Sequence, residues 1–327
     1  MEKFSSFERV VGNISETEKE QILHNKGERF DDQIFEDLKG NEREKTPEEL
    51  QIISLVNEAT NEIRQRYGLE NFDIPPGNIH VVTEEVWPRE KSVAFYNSML
   101  QGVAVREQPA RIVFMEKIFH EMLHFKSYNA LQITSGENPE LDEYRVGLTV
   151  HTREGKRMYF MNLNEAVTEE MTKRFATKLF DNPLFTKEAK QTKDVITRYP
   201  RAVTGSGEPL FDNDTFYAEV EGKKSWGEAV GRLFGAQEKP KKITTESFTY
   251  QSERRLLNTL INKILEKNTD KFQDKEEVFK VFAKGMITGN ILPIGRLIER
   301  TFGNGTLRRI GELDQDIQAQ EEFVNRL

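Results

Sequence analysis

The stretch Phe119-His120-Glu121-Met122-Leu123-His124-Phe125 decides how the chain is read. His120 and His124 are four positions apart, so on a helix they project from nearly the same face, about 40° apart around the axis. Two imidazole nitrogens at that spacing reach one metal ion while the backbone stays fully hydrogen-bonded. Glu121 lies beside His120 on the same side, where its carboxylate meets a water on the ion without taking a ligand position. This is the H-E-x-x-H spacing of zinc-dependent hydrolysis, with the Glu as general base. The competing reading is a core helix with two half-buried histidines beside Phe119, Met122 and Phe125.

Working outward, the helical period runs from Pro109 to about Leu131, and Ile112, Val113, Phe114, Ile118, Phe119, Met122, Leu123 and Phe125 make it apolar on most of its surface. Such a helix belongs in the centre of a domain. Two histidines and a glutamate buried there need partners, because unpaired buried polar groups cost free energy. A dication and further carboxylates would supply them.

Before this helix, strand-rich segments at Ile79–Val82, Ser92–Tyr96 and Gly102–Val105 predict a small sheet packed against it. The last of them is expected nearest the metal, placed to align an extended peptide by strand addition. Earlier still, Thr46, Pro47 and Glu49 spell a capping box with proline at the first helical position, and the helix runs to Tyr67-Gly68.

After the metal helix, a polar loop is expected over Ser135–Glu143. A hairpin around Glu154-Gly155-Lys156 (146–152 with 157–160) precedes a helix from Asn162 to about Phe180. A further helical piece reaches Arg198, and residues 200–246 are broken repeatedly by Gly and Pro. The C-terminal part returns to helix, with Asp274 and Glu277 marking one N-terminus. The expected fold is α+β and mainly helical, with a short β-sheet packed on a two-helix metal site. Residues 1–45 read as a charged helical arm. Residues 46–327 form the main domain, with the metal-site core over about 76–182 and a helical C-terminal subdomain over about 245–327.

Composition narrows the function. The chain has 327 residues, 47 Lys and Arg against 55 Asp and Glu, a net charge of −8 and no cysteine. Without thiolates, any metal must be held by His, Asp or Glu, and no disulfide framework exists. Basic residues are interspersed with acidic ones, so the stripe that nucleic-acid binding requires is missing. No apolar run approaches the roughly 20 residues of a membrane span, and the first residues carry no apolar signal core. The expectation is a cytoplasmic protein with no nucleic-acid or membrane partner. The sequence leaves the oligomeric state open.

Glu165 and Glu169 form a second pair at helical spacing, in Asn164-Glu165-Ala166-Val167-Thr168-Glu169. The bland reading is a capping box between Asn162 and Glu165, with Glu169 as a surface charge. Taken with His120-Glu121-x-x-His124, however, the run resembles the gluzincin clan of zinc metallopeptidases, whose downstream N-E-x-x-[S/T]-[D/E] helix completes the site. Glu165 stands 41 positions after His124, a separation closer to the small minigluzincin families than to the thermolysin or aminopeptidase branches. The resemblance implies that His120, His124 and Glu165 hold Zn2+, that Glu169 holds the other nitrogen of His120, and that a peptide or protein is the substrate.

It also implies a Tyr or His that stabilises the tetrahedral intermediate. No histidine follows His151, so a tyrosine is expected: Tyr250 first, then Tyr217 and Tyr159, with His151 read as structural. The G-x-M-E-N motif that clan aminopeptidases use for the substrate amine is not in the sequence, which disfavours exopeptidase action. The alternative function is a catalytically silent metal-binding regulatory or interaction protein.

Overall fold

The structure, a computed structural model, describes residues 6–28, 41–87, 92–220 and 242–327. Parts of the expected N-terminal arm and of the irregular 200–246 stretch lie outside the described residues. About 52% of the chain is helix and 16% strand, an α+β fold that is mainly helical.

Strand β1 (Arg9–Val11) and helix α1 (Glu16–Glu28) come first. Helix α2 (Pro47–Arg66) starts on the expected box: the Glu49 N–H donates to Thr46 Oγ1 at 3.2 Å, and the Thr46 N–H donates to the Glu49 carboxylate at 2.8 Å. Strands β2 (Ile79–Val82), β3 (Ala94–Asn97) and β4 (Gly102–Arg106) form one sheet in the order β2-β4-β3. β4 runs parallel to β2 and antiparallel to β3.

Helix α3 (Arg111–Lys126) carries the H-E-x-x-H residues, and all of it but Arg111 and Glu121 is buried. It packs against α2 on one side and against β3 and β4 on another. Phe114, Phe119 and Phe125 are among the largest fully buried side chains, and burying each contributes about 1.5–3 kcal/mol.

The helix stops at Lys126 rather than near Leu131. Asn129 Nδ2 donates to the carbonyls of His124, Phe125 and Ser127 at 3.0–3.2 Å, and Ser127 Oγ donates to His124 O at 2.7 Å. These bonds satisfy the orphaned last carbonyls of the helix. The apolar residues that follow are released into strand β5 (Asn129–Ile133).

β5 is an interior strand of a second sheet, ordered β1-β5-β6-β7-β8, with β6 (Leu141–Val146), β7 (Thr149–His151) and β8 (Met158–Tyr159). The expected hairpin is present as β7 and β8, whereas the expected polar loop gives way to β6 from Leu141 onward. The N-terminal stretch, expected to be helical, contributes β1 as well as α1. β1 pairs in parallel with β5, and Phe7 and Val10 bury against Leu131.

Helices α4 (Met161–Leu179) and α5 (Thr186–Arg198) lead to an antiparallel ribbon, β9 (Thr215–Val220) with β10 (Ile243–Ser247), inside the stretch expected to be irregular. Helices α6 (Gln251–Lys267), α7 (Lys275–Thr288), α8 (Leu292–Phe302), α9 (Thr306–Glu312) and α10 (Ile317–Arg326) complete the chain. α4 packs against α3, α6 and α7, which sets the second motif facing the first. Among the described residues, no helix is long and apolar enough to cross a membrane.

Candidate metal centre

Helix α4 is capped by a residue 153 positions away. Asp314 accepts the N–H of Met161 at 2.7 Å and that of Asn162 at 3.2 Å, while Asn162 Nδ2 donates to Asp314 O and Gln320 Oε1. The Asn162–Glu165 box therefore does not form, and Glu165 turns toward α3. Gly147, in the turn between β6 and β7, makes room for the same motif. It sits at φ 56°, where a Cβ would lie 2.3 Å from Asn164 Oδ1. That Oδ1 accepts the Leu148 N–H at 2.8 Å, and Asn164 Nδ2 lies 3.3 Å from His124 Nδ1.

Across the α3–α4 contact, three donor atoms converge. His120 Nε2 and His124 Nε2 are 3.1 Å apart, and Glu165 Oε2 is 3.3 Å from each. A tetrahedral zinc with bonds of about 2.0–2.1 Å sets its donors about 3.3 Å apart. The donor set and the spacing both fit zinc. His120, His124 and Glu165 also form a group of metal-ligating type with all three ligand atoms within 4.8 Å of one another.

Glu169, one turn along α4, is fully buried, and its Oε2 lies 2.7 Å from His120 Nδ1. Its other oxygen accepts the Thr249 N–H at 2.5 Å and the Thr249 hydroxyl at 3.2 Å. A ligand histidine needs a partner of this kind to fix its tautomer and ring angle.

The electrostatics follow from this crowding. Burial pushes the Glu165 carboxyl up, but His124 and His120 pull it far below the usual carboxylate range. Glu169 behaves alike: burial raises it, and the His120 contact with the nearby Lys117 ammonium brings it below its ordinary value. Burial opposes charge on His120, yet Glu165 and Glu169 raise it well above an ordinary histidine. Glu121 is pushed up by burial, which His120, His124 and a hydrogen bond from the Tyr96 N–H only partly offset. Three carboxylates and two imidazoles thus share one buried space, an arrangement a dication would balance.

Tyr250 closes the other side. It is the residue before α6 and adopts left-handed backbone, φ 53°, at a cost of about 1–2 kcal/mol. Its ring stacks on His120, with centroids 5.5 Å apart and planes 12° apart. Burial, and then the Glu165 and Glu121 charges, push its hydroxyl up, so it stays protonated and able to donate.

The remaining sequence candidates lie elsewhere. Tyr217 is buried and donates to Glu219 Oε2 at 2.6 Å. Tyr159 sits on β8 and does not line the cleft. His151 pairs with Glu143 at 2.8 Å.

The site opens into a cleft of about 290 Å3, lined by Ala94, Phe95 and Tyr96 of β3 and by Val146, Thr149 and Met158 opposite. The strand facing the metal residues is β3, not 102–105. β4 is hydrogen-bonded on both sides, between β2 and β3, and has no free edge to offer a peptide. Sequence reasoning also passed over Thr249 and Asp314. The first adjoins a candidate tyrosine; the second carries no local signal at all.

Comparison with models of known protein families, with curated proteins and with solved structures finds no match to this chain.

Proposed function

We propose that the chain is a zinc-dependent hydrolase of peptide bonds, of the gluzincin kind, acting in the cytoplasm on a peptide or protein substrate. The observation that carries this reading is the 3.1–3.3 Å triangle of His120 Nε2, His124 Nε2 and Glu165 Oε2, with the Glu121 carboxylate on the adjoining position of the same helix. A zinc ion in that triangle would supply Lewis acidity toward a carbonyl and lower the pKa of a water to about 7.

The protein groups divide the rest of the work. Glu121 takes a proton from the attacking water and returns it to the leaving amine. Glu169 accepts the His120 Nδ1 proton, which leaves Nε2 as the ligating atom. The Tyr250 hydroxyl donates to the substrate oxygen as it gains negative charge. β3, an edge strand beside the cleft, offers its backbone to an extended substrate.

The test is Glu121→Gln, which removes the base and touches no ligand. It should keep its zinc and lose about 10²–10⁴-fold in turnover. A variant that cuts peptides as fast as the parent would overturn the assignment. A zinc-loaded parent inert toward varied peptide libraries would instead favour a metal-binding regulatory or interaction protein.

A further inference from the structure

We infer that Glu169 sets the position of Tyr250 as well as that of His120, acting on the tyrosine through the Thr249 backbone. One carboxylate then assembles both the metal site and the hydroxyl that completes it. The inference rests on the hydrolase reading for the role of Tyr250, but the positioning itself stands on contacts between named atoms.

Both oxygens of Glu169 are committed, and to different parts of the molecule. Oε2 lies on His120 Nδ1 at 2.7 Å; Oε1 accepts the Thr249 N–H at 2.5 Å and its hydroxyl at 3.2 Å. Thr249 immediately precedes Tyr250, at the corner where the chain leaves β10 for α6. That corner is not self-supporting. Tyr250 takes left-handed backbone without being glycine, and α6 has no side-chain cap at its start.

Tyr250 as a whole residue is 38% exposed, while its hydroxyl turns inward to Glu165. Its backbone is held from either side. Before it, Thr249 is tied to Glu169. After it, Arg254 of α6 bonds Glu170 Oε1 at 2.8 Å and Asp214 Oδ1 at 2.9 Å. Successive residues of α4, Glu169 and Glu170, thus grip the corner from both ends. The face of Tyr250 rests on the His120 ring, whose angle the same Glu169 sets. Small displacements of a reacting or donating group carry large rate penalties, as much as about 10²-fold for 1 Å. A shared anchor of this kind is therefore a functional device.

A residue that only orients His120 and one that also places Tyr250 behave differently once zinc is saturating. With zinc in excess, kcat and KM are measured for the parent, Tyr250→Phe, Glu169→Ala and the double variant. Loss of the tyrosine hydroxyl should lower kcat by about 10²-fold in the parent. It should lower kcat by less than about 3-fold once Glu169 is gone, a non-additivity of contacting residues, with KM little changed.

The second readout needs no turnover. Hydrogen exchange at the Thr249 amide, followed by NMR on zinc-loaded protein, should speed up at least about 10-fold in Glu169→Ala while the amide of Val167 on α4 keeps its protection. Glu169→Met, of similar length but with no side-chain oxygen to accept from Thr249, serves if the alanine variant does not fold. An additive cycle, or a Thr249 amide equally protected with and without Glu169, overturns the inference. A parent that hydrolyses no peptide defeats the hydrolase reading, and the exchange measurement still decides the positioning.

Discussion

Among the described residues, helices α3 and α4 line both a groove and a cleft, and the groove is the larger. Formed with α2 and α7, it measures about 590 Å3; Leu55, Ile63, Phe119, Met171, Phe175 and Phe279 supply its apolar lining, with charged residues such as Glu62, Arg66, Arg174 and Glu276 beside them. Its centre is the Phe119–Phe175 stack, with centroids 3.9 Å apart. The cleft measures about 290 Å3 and collects His120, Glu121, His124 and Glu165. Phe119 and His120 are neighbours in sequence, and a step of one residue rotates the side chain by about 100° around the helix. That step separates packing from chemistry. Convergent polar groups, rather than volume, mark the site.

The comparison breaks most sharply at Glu165. Glu165→Ala removes one of the three proposed ligands and should cost more zinc affinity than Glu169→Ala. Glu169→Ala leaves those three side chains in place and removes the hydrogen-bond partner of His120 together with the anchor of Thr249, and it should cost about 10–100-fold in zinc affinity. Competition with a zinc chelator ranks the two. A larger loss at Glu169 would mean that ligand and supporting carboxylate are assigned the wrong way round, and parent-like affinity in both would remove the carboxylates from the site.

On the apolar side the effect falls on stability. Phe119→Ala empties a fully buried, stacked position and should destabilise by about 3–5 kcal/mol. Zinc affinity of the folded variant should remain at the parent's value. Denaturant titration and chelator competition together check this, and a zinc affinity that fell with the stability would show that the two faces are not independent.

A third position on α3 sharpens the contrast, because it buries charge without an opposite charge in contact. Lys126 Nζ donates to Asn57 O at 3.2 Å and Asn61 Oδ1 at 2.9 Å, beside Arg64, whose guanidinium shares the Phe72 ring with it. Burial, opposed by Asp73 and reinforced by Arg64, lowers its pKa from 10.5 to about 7. Between those values the unfolded chain binds the proton and the folded one does not, so this group makes stability rise with pH, by at most about 1.4 kcal/mol per unit. Below pH 7 both states hold the proton and the penalty is constant. Lys126→Met lacks this dependence. The stability difference between variant and parent should be largest in mild acid and shrink by about 1 kcal/mol from pH 7 to 8. A difference that does not move with pH would place the ammonium in water.

What the sequence made legible was local. The His120–His124 and Glu165–Glu169 pairs, the Thr46 cap and the apolar stripe of α3 are all patterns within one or two helical turns. They stood in the sequence because helix geometry alone relates their members. The class of the fold followed from them together with the strand-rich segments at 79–82, 92–96 and 102–105. What it hid was decided between distant residues: the Asn129 side chain that ends α3, the parallel pairing of β1 with β5, and the Asp314 cap on α4. The order β2-β4-β3 was hidden for the same reason. Three consecutive strands suggest a meander, and only the pairing of β4 with β2 shows that the edge beside the cleft belongs to β3. Tyr250 could be singled out as one of three tyrosines, but its stacking on His120 joins residues 130 positions apart, as the Glu169–Thr249 contact joins residues 80 apart.

The most direct test of the central claim is the metal content and coordination of the purified protein, by elemental analysis with X-ray absorption at the zinc edge. The expected result is one zinc per chain, with nitrogen and oxygen donors at about 2.0–2.2 Å, a spectrum showing two imidazoles, and loss of that signature in Glu165→Ala. No bound transition metal after incubation with zinc, or a zinc whose coordination is unchanged by Glu165→Ala, would contradict it.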